Sequence, residues 1–88
     1  MEFQFDPAKV AGNLRKHGVS FADAEGVFMD ALALHRLDPD AEGEERYVAL
    51  GTGSAGPLPI VVYALRGAEI RLISARRASR AEIRAYES

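Results

Sequence analysis

The sequence predicts an α+β fold. It reads as a small twisted antiparallel sheet with two N-terminal helices and one C-terminal helix, in the order β-α-α-β-β-β-β-α. Three observations carry this. Ile60–Leu65 and Ile70–Ala75 are short apolar, β-branched runs split by Arg66-Gly67-Ala68-Glu69, which is the pattern of a β-hairpin. Two helix-start signals, Asp6-Pro7 and Ser20, stand before any other strand-like run of comparable strength. The later strand-like runs follow one another through short links, which favour antiparallel pairing.

Glu2-Phe3-Gln4-Phe5 alternates polar and apolar and reads as a short first strand. Asp6 is an N-cap, and Pro7 at the first helical position loses no bond. The helix runs from Pro7 to His17 and ends at Gly18. Val10, Ala11 and Leu14 form its apolar stripe, with Lys9, Asn13, Arg15 and Lys16 outside it. Lys16 and His17 in the last turn complement the helix dipole.

Ser20 with Asp23 three residues on resembles a capping box, and Val19 and Ala24 are spaced for a hydrophobic staple. A second helix carrying Phe21, Ala24, Val27 and Phe28 follows and closes at Met29-Asp30. Ala31–Leu37 reads as a strand, Asp38-Pro39-Asp40 as a turn and Arg46–Leu50 as a strand. The hairpin comes next. Ser79-Arg80-Ala81-Glu82 is a capping box that starts a short last helix with Ile83 and Tyr86 on one side.

The chain has 88 residues, 48% of them apolar, enough for one core and one domain, 1–88. It has no cysteine, so disulfides, zinc-thiolate sites and thiol catalysis are excluded; this suits the cytoplasm. No apolar run approaches the ~20 residues of a membrane span, and the first residues lack a signal peptide's basic front and apolar middle. The net charge of −2 hides an asymmetry. Residues 1–59 hold 5 Lys+Arg against 10 Asp+Glu, net −5, and residues 60–88 hold 6 Arg against 3 Glu, net +3. A basic surface able to meet phosphates is therefore compatible with an acidic chain.

Several site readings fail on spacing or charge. His17 and His35 lack a second ligand at metal spacing, so no metal is expected. The acidic loop Asp38–Glu45 lacks the alternation of a calcium loop. Gly51–Pro59 is glycine-rich but has no Gly-Lys-Ser/Thr ending, and Gly53-Ser54-Ala55-Gly56 lacks the full nucleophile-elbow pattern. A helix-turn-helix reading of the first two helices puts Asp23, Glu25 and Asp30 on the reading helix, where phosphates repel them.

The hairpin carries the positive charge: Arg66, Arg71, Arg76 and Arg77. Strict alternation sets Arg71 and Arg76 on opposite faces. Both serve one site only if the strand bulges or if Arg76 lies past its end; the turn into the last helix at Arg77-Ala78-Ser79 favours the second. Ordinary solvated charge is the other reading of these arginines.

Phe5-Asp6-Pro7-Ala8-Lys9, Asn13 and Lys16-His17-Gly18-Val19-Ser20-Phe21, with Ala24 and Phe28, resemble the start of the BrnT toxins. Asp38, Glu44-Glu45-Arg46 and Gly51 fit the middle of that family. Val61-Val62-Tyr63, Arg66, Ile70-Arg71-Leu72-Ile73-Ser74-Ala75-Arg76, Glu82 and Tyr86 fit its end. The likeness spans nearly the whole chain. It departs where the family usually has Trp directly before the Asp; here Gln4-Phe5 stands there.

The resemblance implies a RelE-like fold and a toxin of a type II toxin–antitoxin pair. It implies a ribonuclease that blocks translation, a BrnA-like antitoxin that neutralises it, and contact with DNA only through the antitoxin complex. No cofactor and no membrane enter this reading. A metal-free ribonuclease must activate the 2′-hydroxyl, offset phosphorane charge and protonate the leaving oxygen. Arg71 and Arg76 are the first candidates for the charge-offsetting role, with Lys16 or His17 as phosphate contact or proton carrier. Arg46, Arg66, Arg77 and Tyr86 are candidate RNA contacts; Tyr86 either stacks on a base or packs on the sheet. Two other functions fit the residues: a non-catalytic RNA-binding module, and an interaction domain that recruits a chain at the hairpin edge.

Overall fold

In the computed structural model, residues 2–41, 43, 45–54 and 58–88 are described. Glu42 and Glu44 of the acidic loop, and Ala55–Pro57 of the glycine-rich loop, lie outside them. The elements are β1 (Glu2–Gln4), α1 (Pro7–His17), α2 (Phe21–Glu25), a 3-10 turn (Gly26–Met29), β2 (Leu34–Leu37), β3 (Arg46–Leu50), β4 (Pro59–Arg66), β5 (Glu69–Arg77) and α3 (Arg80–Glu87). The expected order holds.

The sheet has five strands in the order β1-β5-β4-β3-β2. β2 to β5 pair antiparallel, but β1 runs parallel to β5, with Phe3 opposite Ile70. The sheet is therefore mixed, not wholly antiparallel. The helices and strands between β1 and β5 supply the long connection that parallel pairing needs. The β4–β5 hairpin is central, flanked by β1 and β3. It offers no free edge, which removes strand addition at the hairpin.

Local chemistry sets the helix ends. Asp6 accepts the amide of Ala8 at 2.9 Å, and Gly18, at φ 71°, closes α1 in the left-handed region. Ser20 Oγ accepts the Asp23 amide at 3.0 Å, and the last turn of the second helix tightens into the 3-10 turn. Asp30 Oδ1 takes the Leu32 amide at 2.9 Å and its carbonyl takes the Ala33 amide at 3.1 Å. That turn delays β2 from the expected Ala31 to Leu34.

The face of α1 differs from its apolar stripe. Leu14 is 51% exposed, whereas Asn13 is 9% exposed. The Asn13 amide donates to Val19 O at 3.0 Å and Ala75 O at 2.8 Å, and its Oδ1 accepts the Ala75 amide at 3.0 Å. A buried polar side chain is tolerable when fully bonded, and here it locks α1 onto β5. The core below holds Val19, Phe21, Ala24 and Val27 against Ala49, Val61, Tyr63, Ile70, Leu72 and Ala75.

Candidate nucleic-acid interface

The register of β4 against β5 slips between Val62 and Tyr63: Tyr63 faces Leu72, Val62 faces Ser74, and Ile73 is the extra residue. This β-bulge inverts the pleat beyond it. Ala75 thereby shares the core face with Ile70 and Leu72, and Arg76 turns to the face of Arg71. Arg76 is not past the strand: β5 continues to Arg77, with Arg76 opposite Ile60. Of the two routes that bring the arginines together, the bulge is the one used.

Reading the register across the strands places five arginines on the face away from α1 and α2. Arg46, Ala64 and Arg71 form one row, continued by Gln4. Arg36, Val48, Val62 and Ser74 form the next, and Leu34, Leu50, Ile60 and Arg76 the third. Arg66 lies opposite Glu69 at the hairpin end. Arg36 was absent from the candidates read in the sequence; the two-residue spacing Leu34-Arg36 on an alternating strand was the available signal.

These arginines differ in their engagement. Arg76 makes a two-bond pair with Glu82, at 2.9 and 2.8 Å. That pair holds Glu82 down to about 2 and raises Arg76 above the ordinary guanidinium value. Arg46 pairs with Asp38 at 3.3 Å, and its Nε is buried without an acceptor among the described residues. Arg36 and Arg71 make no hydrogen bond or ion pair among the described residues. Arg71 borders a shallow hollow with Phe3, Gln4, Phe5 and Asp6.

The remaining candidates lie elsewhere. Arg77 falls on the α1 side of the sheet, with Nη2 4.0 Å from where a Cβ on Gly18 would stand. It thus neighbours the end of α1, where Lys16 is exposed and His17 half-buried. The structure brings Lys16, His17 and Arg77 into one neighbourhood and Arg71 and Arg76 into another, on opposite faces. The Tyr86 hydroxyl donates to Asp30 Oδ2 at 2.5 Å and lies 3.1 Å from Thr52 Oγ1. Bonding to Tyr86 pulls the Asp30 carboxyl below its usual range and pushes the Tyr86 phenol up. Tyr86 therefore ties α3 to the loops beyond the sheet.

On the helix side, His35 Nδ1 lies 2.8 Å from the Tyr63 hydroxyl, and Tyr47 stacks on Tyr63 at 5.4 Å. Burial raises the Tyr63 phenol. Among the described residues no group of three or more His, Cys, Asp or Glu is placed to hold a metal, and no helix is long and apolar enough to cross a membrane.

A sheet with an arginine-bearing face has the charge distribution that contact with phosphates requires, and comparison with known proteins gives the chain a class. The chain matches the 1.1 Å crystal structure of the Brucella abortus ribonuclease toxin BrnT with TM-score 0.69 and 27% identity, over 91% of this chain and 99% of that one. No curated protein sequence matches it. Residues 5–82 match the family described as the ribonuclease toxin BrnT of type II toxin–antitoxin systems. The chain belongs to the BrnT toxin family. Membership implies a ribonuclease and an antitoxin partner.

Proposed function

We propose that this chain is a metal-independent endoribonuclease that blocks translation in the cytoplasm, acting as one RelE-like domain. A BrnA-like antitoxin neutralises it, and DNA is met only through that complex. The observation that carries the reading is the bulge at Ile73, which gathers Arg71 and Arg76 with Arg36, Arg46 and Arg66 on one face. Guanidinium forks hold phosphate oxygens in two bonds and offset charge as the phosphorane forms.

Arg71, without a hydrogen-bond or ion-pair partner among the described residues, is the residue that grips the scissile phosphate. Arg36, Arg46 and Arg66 hold flanking phosphates. Arg76 contributes its fork where the substrate phosphate displaces Glu82. Lys16, His17 and Arg77 form a second basic group on the opposite face, which contacts RNA flanking the scissile phosphate where the strand passes the end of β5. Tyr86, tied to Asp30, positions α3 in preference to stacking on a base.

RNA cleavage by the purified chain tests this. Arg71→Ala abolishes it with the circular dichroism spectrum intact, and Arg71→Lys recovers only a small part, because lysine keeps the charge but not the fork. Full activity per folded molecule in Arg71→Ala, Arg36→Ala and Arg76→Ala alike overturns the arginine-centred mechanism. Salt-sensitive RNA binding without cleavage in the unmodified chain replaces it with the non-catalytic reading.

A further inference from the structure

β2 is an outer strand of the sheet, and every residue in it is exposed. The chain around it leaves large apolar side chains in water: Met29 is 83% exposed, Leu32 75%, Leu34 47% and Leu37 60%. Folded chains protect such edges with lysine, proline, a bulge or a covering segment. Arg36 is the only charge within β2, and no proline or bulge interrupts it.

The hydrogen-bond phase of this edge follows from one bond. The Asp38 amide donates to Arg46 O at 2.8 Å, and Asp38 stands opposite Arg46 by continuation of the Leu37–Tyr47 pairing. Bonded and non-bonded pairs alternate along an antiparallel ladder. Arg36 and Leu34 therefore direct their backbone groups to β3, and His35 and Leu37 direct theirs outward. The edge thus offers two residues' worth of backbone donors and acceptors, bracketed by exposed leucines.

We infer that β2 is the docking edge for the antitoxin, which adds to it an extended segment that places an apolar and an acidic side chain, two residues apart, on the face of Leu34 and Arg36. The inference rests on the toxin–antitoxin reading, which supplies the partner. Charge supplies the chemistry: β2 carries no acid, and Arg36 has no ion pair among the described residues. A second copy of this chain fits poorly. Pairing about a two-fold axis sets Arg36 against Arg36, His35 against His35, or Leu37 against Leu37; only the last brings a carboxylate to Arg36, that of Asp38, which is already paired with Arg46 at 3.3 Å. On the arginine face the added strand borders a cavity of about 280 Å³ beneath α3, lined by Leu34, Val48, Leu50, Ile60, Ala81 and Ala85 among others. An apolar side chain of the antitoxin fills it while a neighbouring carboxylate meets Arg36.

The test is amide hydrogen exchange on the full chain, alone and with the antitoxin expressed from the neighbouring reading frame. In the complex the His35 and Leu37 amides slow by at least about tenfold. Leu37→Pro, which removes one outward donor and no internal bond, weakens the complex by at least about tenfold. It leaves RNA cleavage by the free chain unchanged. Arg36→Glu weakens the complex likewise with the fold intact. A complex that leaves both amides unprotected, or that tolerates both substitutions, overturns the docking edge alone. Protection that appears with rising concentration of the chain itself, or with a single-stranded RNA oligonucleotide, overturns it in favour of that occupant. Failure of the unmodified chain to bind the neighbouring gene's product ends the antitoxin reading and this inference together, while cleavage activity still reports on the ribonuclease reading.

Discussion

Asn13 does for α1 what an apolar stripe does elsewhere. Its amide takes both backbone groups of Ala75 and the carbonyl of Val19, so its removal leaves three buried backbone groups without partners. Asn13→Ala is expected to cost about 2–3 kcal/mol, read as a lower denaturant midpoint with little change in m-value. Glu82 is the second residue whose chemistry can be read directly. Arg76 holds its carboxyl at about 2, below the ordinary 4.5. A depressed carboxylate stabilises the fold above its unfolded value and loses that contribution as pH falls through the folded value. The α3 tether is therefore intact above pH 4.5 and weakens from there towards pH 2. The pair is partly solvent-screened, so its contribution is about 1 kcal/mol or less. Glu82→Gln is expected to flatten the acid limb of the thermal-melt profile; an unchanged acid limb shows that the pair does not stabilise the fold.

At the scale of elements, the bulge in β5 decides which side chains share a face. Deleting Ile73 removes the extra residue and leaves Leu72, Ser74, Ala75 and Arg76 alternating in their present register with β4. Ala75 then stays in the core against Asn13, and Arg76 stays on the face of Arg71. The expected outcome is a folded protein that keeps RNA cleavage. A deletion variant that fails to fold, or folds without cleavage, sinks the claim that one extra residue sets which side chains share a face. Gly67, at φ 61°, opens the two-residue hairpin turn with Ala68. It has the positive-then-negative φ pattern of a type II′ connection, whose twist matches the strands. Gly53 serves the other end of the molecule. A Cβ there would stand 2.6 Å from Asp23 Oδ1, so only glycine lets this loop lie against α2.

For the molecule as a whole, charge is sorted by topology. The sheet places five arginines on one face of a chain whose net charge is −2. If the arginine face binds RNA as proposed, association is expected to be salt-dependent, with a slope set by the phosphates neutralised. Expression of the chain without its antitoxin is expected to arrest bacterial growth, and chelation by EDTA is expected to leave RNA cleavage intact. Loss of cleavage on chelation, restored by a divalent ion, contradicts metal independence and points to the acidic loop. Normal growth with abundant folded protein contradicts toxicity.

The sequence alone determined the element order, the ends of α1, the start of α3, the central hairpin and the family. Caps and tight turns are bonds within about four residues of the chain, as with Asp6 to Ala8 and Ser79 to Glu82, so neighbouring residues suffice to write them. The tertiary structure alone decided the rest. The parallel seat of β1, the burial of Asn13, the bulge at Ile73 and the pairing of Arg76 with Glu82 each depend on a partner chosen by the fold. For Asn13 that partner lies 62 residues away. Arg71 and Arg76 were readable as the right residue type for phosphate, but their shared face was not. A pleat repeats every two residues until one extra residue inverts it, and what holds that residue is the packing of Leu72 and Ala75 on the same core.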